Sequence, residues 1–151
     1  MAIVMAALNT RAGCRDDTEW LYQLFKETNS GFIETSWGWD ELLQRESFFS
    51  SLPGSGFTIL EKDGEPVGGF NLVKKKDHLW LELLIIKPQW QGKGFGTVLL
   101  DEAKSTAKKI GLPIKLSVLK NNPAADFYLE REFTVDSDDS KSIKMTWRFA
   151  D

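Results

Sequence analysis

The most constraining feature of this chain is a strand, a glycine turn and a helix set end to end. His78–Ile86 is its most apolar run, interrupted only by Glu82, and it reads as a central strand buried on both faces. Gln91-Gly92-Lys93-Gly94-Phe95-Gly96 follows. From there Phe95, Val98, Leu99, Ala103, Ala107 and Ile110 recur at helical period, and Gly111 stands where a C-terminal stop belongs. The chain must therefore turn from strand to helix through glycine. The first amides of that helix lack partners within it and face the turn, so with the positive helix end they form a phosphate site. Glycine lets a diphosphate approach the main chain that a Cβ would block.

Two familiar phosphate loops do not fit. The NTPase-type loop needs Gly-Lys followed by Ser or Thr, whereas Lys93 is followed by Gly94 and Phe95. The dinucleotide fingerprint needs a third glycine where Thr97 stands.

The rest of the chain is read around this unit. At 151 residues and 42% hydrophobic, residues 1–151 suffice for one domain, which at this size buries roughly 68–70% of its unfolded surface. With 19 basic and 22 acidic side chains the formal charge is −3, which argues against nucleic-acid binding. A lone Cys14 and a lone His78 make neither an intrachain disulfide nor a Cys/His metal site, and they point to a reducing cytoplasm. Cys14 reads as a small buried hydrophobe and His78 as solvent-facing. The run Leu83–Ile86 is far short of the ~20 residues of a membrane span, and Met1–Asn9 lacks the basic start of a signal peptide.

A weak first strand is expected at Val4–Leu8 and a helix at Asp17–Thr28, with Asp16 and Glu19 as its capping pair. Asn29-Ser30-Gly31 ends that helix, and Trp39, Leu42, Leu43, Glu46 and Phe49 trace a second. Phe57–Glu61 and Pro66–Lys74 form a hairpin about an Asp-Gly step. After the glycine turn and its helix come a strand at Pro113–Val118 and a helix at Pro123–Glu130 capped by Asn122. A hairpin of Phe133–Asp136 and Ile143–Phe149 closes the sheet. The order β-α-α-β-β-β-α-β-α-β-β is a mixed α+β fold.

The glycine turn also fits Gln/Arg-x-x-Gly-x-Gly/Ala, and Ile86–Gly96 followed by Leu99-Leu100 resembles the main cofactor motif of the GNAT superfamily of acetyl-CoA-dependent N-acetyltransferases. Asn121 through Ala124 to Phe127-Tyr128 resembles its second motif, and the element order matches over nearly the whole chain. The resemblance implies a mostly antiparallel central sheet of about six or seven strands flanked by about four helices. One departure is Glu132 before Phe133, where members usually place the glycine of a left-handed helix end.

The resemblance further implies direct transfer of acetyl from acetyl-CoA, with CoA as product, to the primary amine of a small or amino-acid-like acceptor. A protein N-terminus or lysine as acceptor, and a non-catalytic acyl-CoA-binding module, are the alternatives; the protein is expected to be a monomer or homodimer, with no metal. Leu84, Ile85 and Ile86 would pair with the pantetheine arm beside a family bulge, a backbone N–H near Ile86 would polarise the thioester carbonyl, and Gln91, Gly92, Lys93, Gly94, Phe95, Gly96, Thr97 and Asn121 complete the cofactor site. Tyr128 sits at the family's position for the acid that protonates the leaving thiolate. Glu82 is the candidate base, placed by strand alternation on the face of Leu84 and Ile86. Trp37, Trp39, Asp40 and Gln44 are candidates for the acceptor pocket wall.

Overall fold

The computed structural model describes residues 7–149. Seven strands form one sheet: β1 Leu8–Ala12, β2 Phe57–Lys62, β3 Glu65–Lys74, β4 Leu79–Ile86, β5 Ile114–Leu119, β6 Thr134–Asp138 and β7 Ser142–Trp147, in the order β1-β2-β3-β4-β5-β7-β6. All neighbours run antiparallel except β4 and β5. Helices α1 Thr18–Trp37 and α2 Glu41–Ser51 cover one face, and α3 Phe95–Ile110 and α4 Ala124–Leu129 the other. Each face has its own core, the larger one built on Leu99, Leu100, Ala103, Ile114 and Met145 and the smaller on Leu21, Tyr22, Phe48 and Ile59.

Several elements stand as expected from local signals. Asp63 and Gly64 both take positive φ (52° and 80°), as a two-residue hairpin turn that matches the strand twist requires. Asn122 Oδ1 accepts from the Ala124 amide at 2.9 Å at the start of α4. Asp40 Oδ1 accepts from the Leu43 amide at 3.0 Å and starts α2.

Other elements depart from expectation. The strand expected at Val4–Leu8 lies largely outside the described residues, and the first described strand is Leu8–Ala12. Helix α1 runs through Asn29-Ser30-Gly31 to Trp37. Its last turns gain partners that are remote in sequence: Asn121 Nδ2 donates to the Phe32 carbonyl at 3.3 Å, and Lys141 Nζ to the Ser36 carbonyl at 2.6 Å. Such tertiary contacts override local propensity. The acid that organises this helix start is Asp17 rather than the pair Asp16 and Glu19, and its carboxylate caps the short 3-10 turn Arg15–Asp17 before α1 rather than α1 itself. It is buried, receives Arg11 at 2.8 and 2.9 Å, the Cys14 amide at 2.9 Å and the Trp20 indole at 2.8 Å, and the Arg11 guanidinium holds its carboxyl well below the usual range. Cys14 is exposed, not buried, because it lies in the short turn that leads into α1. His78 is half-buried and edge-on to Trp80 instead of facing solvent.

Glu132 takes the left-handed conformation (φ 74°) despite its Cβ. The Phe133 amide still donates to the Tyr128 carbonyl at 3.2 Å. The expected helix end is therefore formed without its glycine, with backbone strain stored at one residue.

Candidate active site

The site begins where β4 and β5 part. Their parallel pairing is limited to Leu79 with Ile114 and Trp80 with Lys115. From Leu81 onward the β5-side edge of β4 has no strand partner, so its polar backbone groups are open to a ligand. Across the other edge, Asn71 pairs with Leu83 and Leu72 with Leu81, which leaves Glu82 as a bulged extra residue.

The bulge changes which way the strand's side chains point. Leu79, Leu81, Leu84 and Ile86 pack on the α3 side, whereas Leu83 and Ile85 belong to the α1/α2 side. Glu82 follows Leu81 and so projects to the α1/α2 face. The expectation that it shares a face with Leu84 and Ile86 is thereby corrected: unbroken alternation does not survive an inserted residue. Its carboxylate accepts from the Trp80 indole N–H, and it lines a cavity of about 390 Å³.

A larger cleft, about 790 Å³, opens on the gap between β4 and β5 and reaches the N-terminus of α3. Leu84, Ile85, Ile86, Gln91, Gly92, Gly94, Gly96, Thr97 and Tyr128 line it together. Gly92 and Gly94 have φ of 73° and 87°, and an added Cβ on either would meet no protein atom within 4 Å. Their glycine identity thus answers to backbone conformation and to whatever approaches the turn, not to protein packing. Gln91 Nε2 donates to the Ile86 carbonyl at 2.9 Å and staples the strand end to the turn. Lys93 is exposed outside the cleft wall, Phe95 is buried in the core edge-on to Trp90, and Asn121 is tied to α1. Asn122, its neighbour, lines the cleft instead.

Tyr128 is buried on α4, and its hydroxyl makes no hydrogen bond among the described residues. Burial pushes its phenol well above the ordinary tyrosine value, so it keeps its proton. Glu82 and Tyr128 thus stand on opposite faces of β4 and in different cavities.

The candidate acceptor residues do not gather at either cavity. Trp37 is 60% exposed beneath Lys141, Trp39 packs on Phe25, Asp40 caps α2, and neither cavity includes Gln44. What α1 contributes to the large cleft is Glu27, Thr28, Asn29 and Phe32, from the stretch expected to end that helix.

Two cleft residues escape sequence reasoning. Arg131 lies 3.9 Å over the Phe127 ring, donates from Nε to Thr97 Oγ1 at 3.0 Å and from a terminal nitrogen to the Phe127 carbonyl at 2.9 Å. This fixes a guanidinium beside the first turn of α3. Trp90 lines the same cleft and carries a buried indole N–H without a partner among the described residues. Helix-terminal amides, an arginine and an orphan donor suit a phosphate-bearing ligand, and the open edge of β4 suits an extended amide arm. The cleft therefore fits coenzyme A. Arg131 has no motif to announce it, and Trp90 lies within the Ile86–Gly96 motif without being singled out there, since their value arises from α4 and the Pro88–Trp90 turn meeting α3.

Among the described residues no group of three or more His, Cys, Asp or Glu side chains lies together as metal ligands, and no helix is long and apolar enough to cross a membrane. The sequence profile of the Acetyltransferase (GNAT) family matches residues 19–133. No curated protein sequence matches the chain. Solved structures do: PaiA N-acetyltransferase from Thermoplasma acidophilum in complex with coenzyme A, at 20% identity and TM-score 0.77 over 95% of this chain and 99% of that one. The ribosomal-protein-S18-alanine N-acetyltransferase of Escherichia coli matches at 18% identity and TM-score 0.72 over 93% of each chain. N-acetylglutamate synthase from Neisseria gonorrhoeae, complexed with coenzyme A and N-acetyl-glutamate, matches at 20% identity and TM-score 0.72 over 97% of this chain and 36% of that one. With the family's profile spanning most of its length and the cleft built to suit coenzyme A, this chain belongs to the GNAT acetyltransferase family and is an acetyl-CoA-dependent N-acetyltransferase.

Proposed function

We propose that the chain acetylates the primary amine of a small, amino-acid-like acceptor by direct transfer, with Glu82 as base and Tyr128 as acid. The observation that carries the reading is the bulge at Glu82, which turns a carboxylate to one face of β4, opposite the cleft that the Tyr128 phenol lines from α4, near the point where β4 leaves β5.

When bound, acetyl-CoA supplies the activated acetyl group. Arg131, the amides at the start of α3 and the Gly92–Gly94 turn hold its phosphates, and the open edge of Leu84–Ile86 holds its arm. An alkylamine of pKa about 10.4 is protonated at neutral pH, and freeing it costs roughly 4–5 kcal/mol. Glu82 accepts that proton on the α1/α2 face, and Trp80 holds the carboxylate in place through one oxygen. On the far side Tyr128 retains its proton until thiolate charge develops in the same desolvated cleft. Direct transfer also accords with Cys14, which lines neither cavity.

Calorimetry with acetyl-CoA, CoA, NAD and ATP tests the cofactor, and amine-dependent release of free thiol tests the reaction. Saturation at about a hundredfold over Kd adds roughly 2.7 kcal/mol to stability. Binding of acetyl-CoA together with thiol release that requires an amine is expected. A protein that binds acetyl-CoA but never releases thiol with any amine or peptide is a sensing module instead. Acetylation of a protein N-terminus is a second reading, favoured by the exposed Trp37, Leu42 and Leu43 near the α1–α2 junction; turnover only with peptides would select it.

A further inference from the structure

The cavity on the α1/α2 face is lined by Ser51, Asn71, Val73, Lys75, Trp80 and Glu82. At about 390 Å³ it lies at the small end of ligand clefts, which run from roughly 300 to 1,000 Å³. Asn71 is only 4% exposed, an uncommon place for an amide. Its Nδ2 donates to the Gly56 carbonyl at 3.1 Å. Because a carbonyl only accepts, that bond settles which end of the amide faces Gly56. The other end, Oδ1, is an acceptor with no partner among the described residues, and an unmet buried acceptor costs about 1–3 kcal/mol. A donor belongs there.

Beside it, Glu82 spends one carboxylate oxygen on the Trp80 indole and has the other to offer. Asn71 and Glu82 come from strands paired at the bulge and line the same cavity. Lys75, the residue after β3, supplies the opposite charge. Its backbone amide is engaged with the His78 carbonyl at 2.8 Å, while its ammonium has no ion pair among the described residues. Two acceptors and one cation around a small chamber with Trp80 and Val73 as apolar wall match a molecule that is itself both cation and anion.

We infer that this cavity is the acceptor site and that the acceptor is a free amino acid or similar small amine bearing a carboxylate. Asn71 Oδ1 and Glu82 receive its ammonium, and Lys75 receives its carboxylate. The inference rests on the proposed role of Glu82 as base: of the two protons the nitrogen must lose, Glu82 takes the first from the ammonium that it and Asn71 hold, and the lone pair so freed bonds to the acetyl carbon. The carbon–sulfur bond then breaks, the thiolate takes the Tyr128 proton, and the nitrogen gives up its second proton to restore the phenol, which leaves a neutral amide.

The test measures thiol release by the full chain, at saturating acetyl-CoA, with each common amino acid, its carboxamide and short peptides. Acetyl-CoA affinity is measured on the same samples. We expect at least one free amino acid to be used with kcat/KM roughly tenfold or more above its carboxamide, the scale of one charge-assisted contact. Lys75→Ala collapses that ratio toward one, and Lys75→Arg retains most of it. Asn71→Ala raises the acceptor KM roughly tenfold while acetyl-CoA affinity and the unfolding midpoint report whether the cofactor site and the fold are intact; Asn71→Ser, which keeps an acceptor, recovers part of the loss. A carboxamide or peptide used as well as the free acid overturns the inference, as does a ratio indifferent to Lys75→Ala. Failure to bind acetyl-CoA overturns the acetyltransferase mechanism itself, whereas binding with turnover only on amines that lack a carboxylate overturns the acceptor assignment alone.

Discussion

The face of the sheet under α3 and α4 is assembled from neighbours in sequence, and the face under α1 and α2 from residues far apart. On the first, Ile86, the glycine turn and the opening of α3 are consecutive, and their chemistry follows from backbone amides that any chain with this pattern would present. On the second, Asn71 meets Glu82 through strand pairing, Ser51 arrives from the end of α2, and Lys75 joins them from just after β3. In the proposed assignment one face holds the cofactor and the other chooses among acceptors, and that choice resides in side chains rather than main chain.

Substitutions on the two faces should therefore separate cofactor binding from acceptor chemistry. The largest effect is expected for Glu82→Gln, which keeps the size and the Trp80 contact but removes the base: kcat falls by about 10²-fold or more with acetyl-CoA affinity unchanged. Loss of that affinity would place Glu82 with the cofactor face. Tyr128→Phe should lower kcat by roughly tenfold with little change in acetyl-CoA Kd, and an acyl donor whose thiol has a lower pKa should narrow the deficit. A large loss of binding or of unfolding midpoint would make Tyr128 a packing residue. Arg131→Ala should raise the Kd of acetyl-CoA by about tenfold, as expected for one charge-assisted phosphate contact, and leave the ranking of acceptors untouched. Comparing CoA with dephospho-CoA then tells which phosphate the guanidinium meets. The smallest effect is expected for Glu132→Gly: relief of one left-handed non-glycine residue stabilises the fold by about 1 kcal/mol, or roughly 2–4 °C in Tm for a chain of this size. Unchanged stability would mean that the Glu132 side chain offsets its backbone strain.

Much of the cofactor face is legible in the sequence. The helix at Phe95–Ile110, its glycine stop, the Asp63-Gly64 hairpin and the Asn122 cap are written in patterns that span only a few residues. The α1/α2 face is far less so. Asn29-Ser30-Gly31 has the composition of a break, yet Asn121 and Lys141 satisfy the far end of α1 and the helix continues. That continuation brings Phe32 to the cleft and leaves Trp37 exposed, so the aromatic pair Trp37 and Trp39 lines neither cavity. Glu82 stands out by its oddity in an apolar strand, but its direction does not, because a bulge is a property of two paired strands and not of one. Arg131 and Asn71 are silent for the same reason. An arginine after a short helix and an asparagine within a strand are ordinary in sequence and acquire meaning only from what they meet.

Taken by itself, the sequence determined the order of elements, the α+β class, the glycine turn and the family. The first three rest on backbone conformation or on periodic burial, which are set within a few residues by φ preference, capping and side-chain period, and the family rests on the resemblance of its motifs. Only the tertiary structure decided that Glu82 and Tyr128 face opposite ways across β4, that Arg131 stands over the start of α3, and that Asn71 holds an unmet acceptor beside Glu82. These are matters of register and of long-range pairing, where one inserted residue turns a side chain from one face of a sheet to the other.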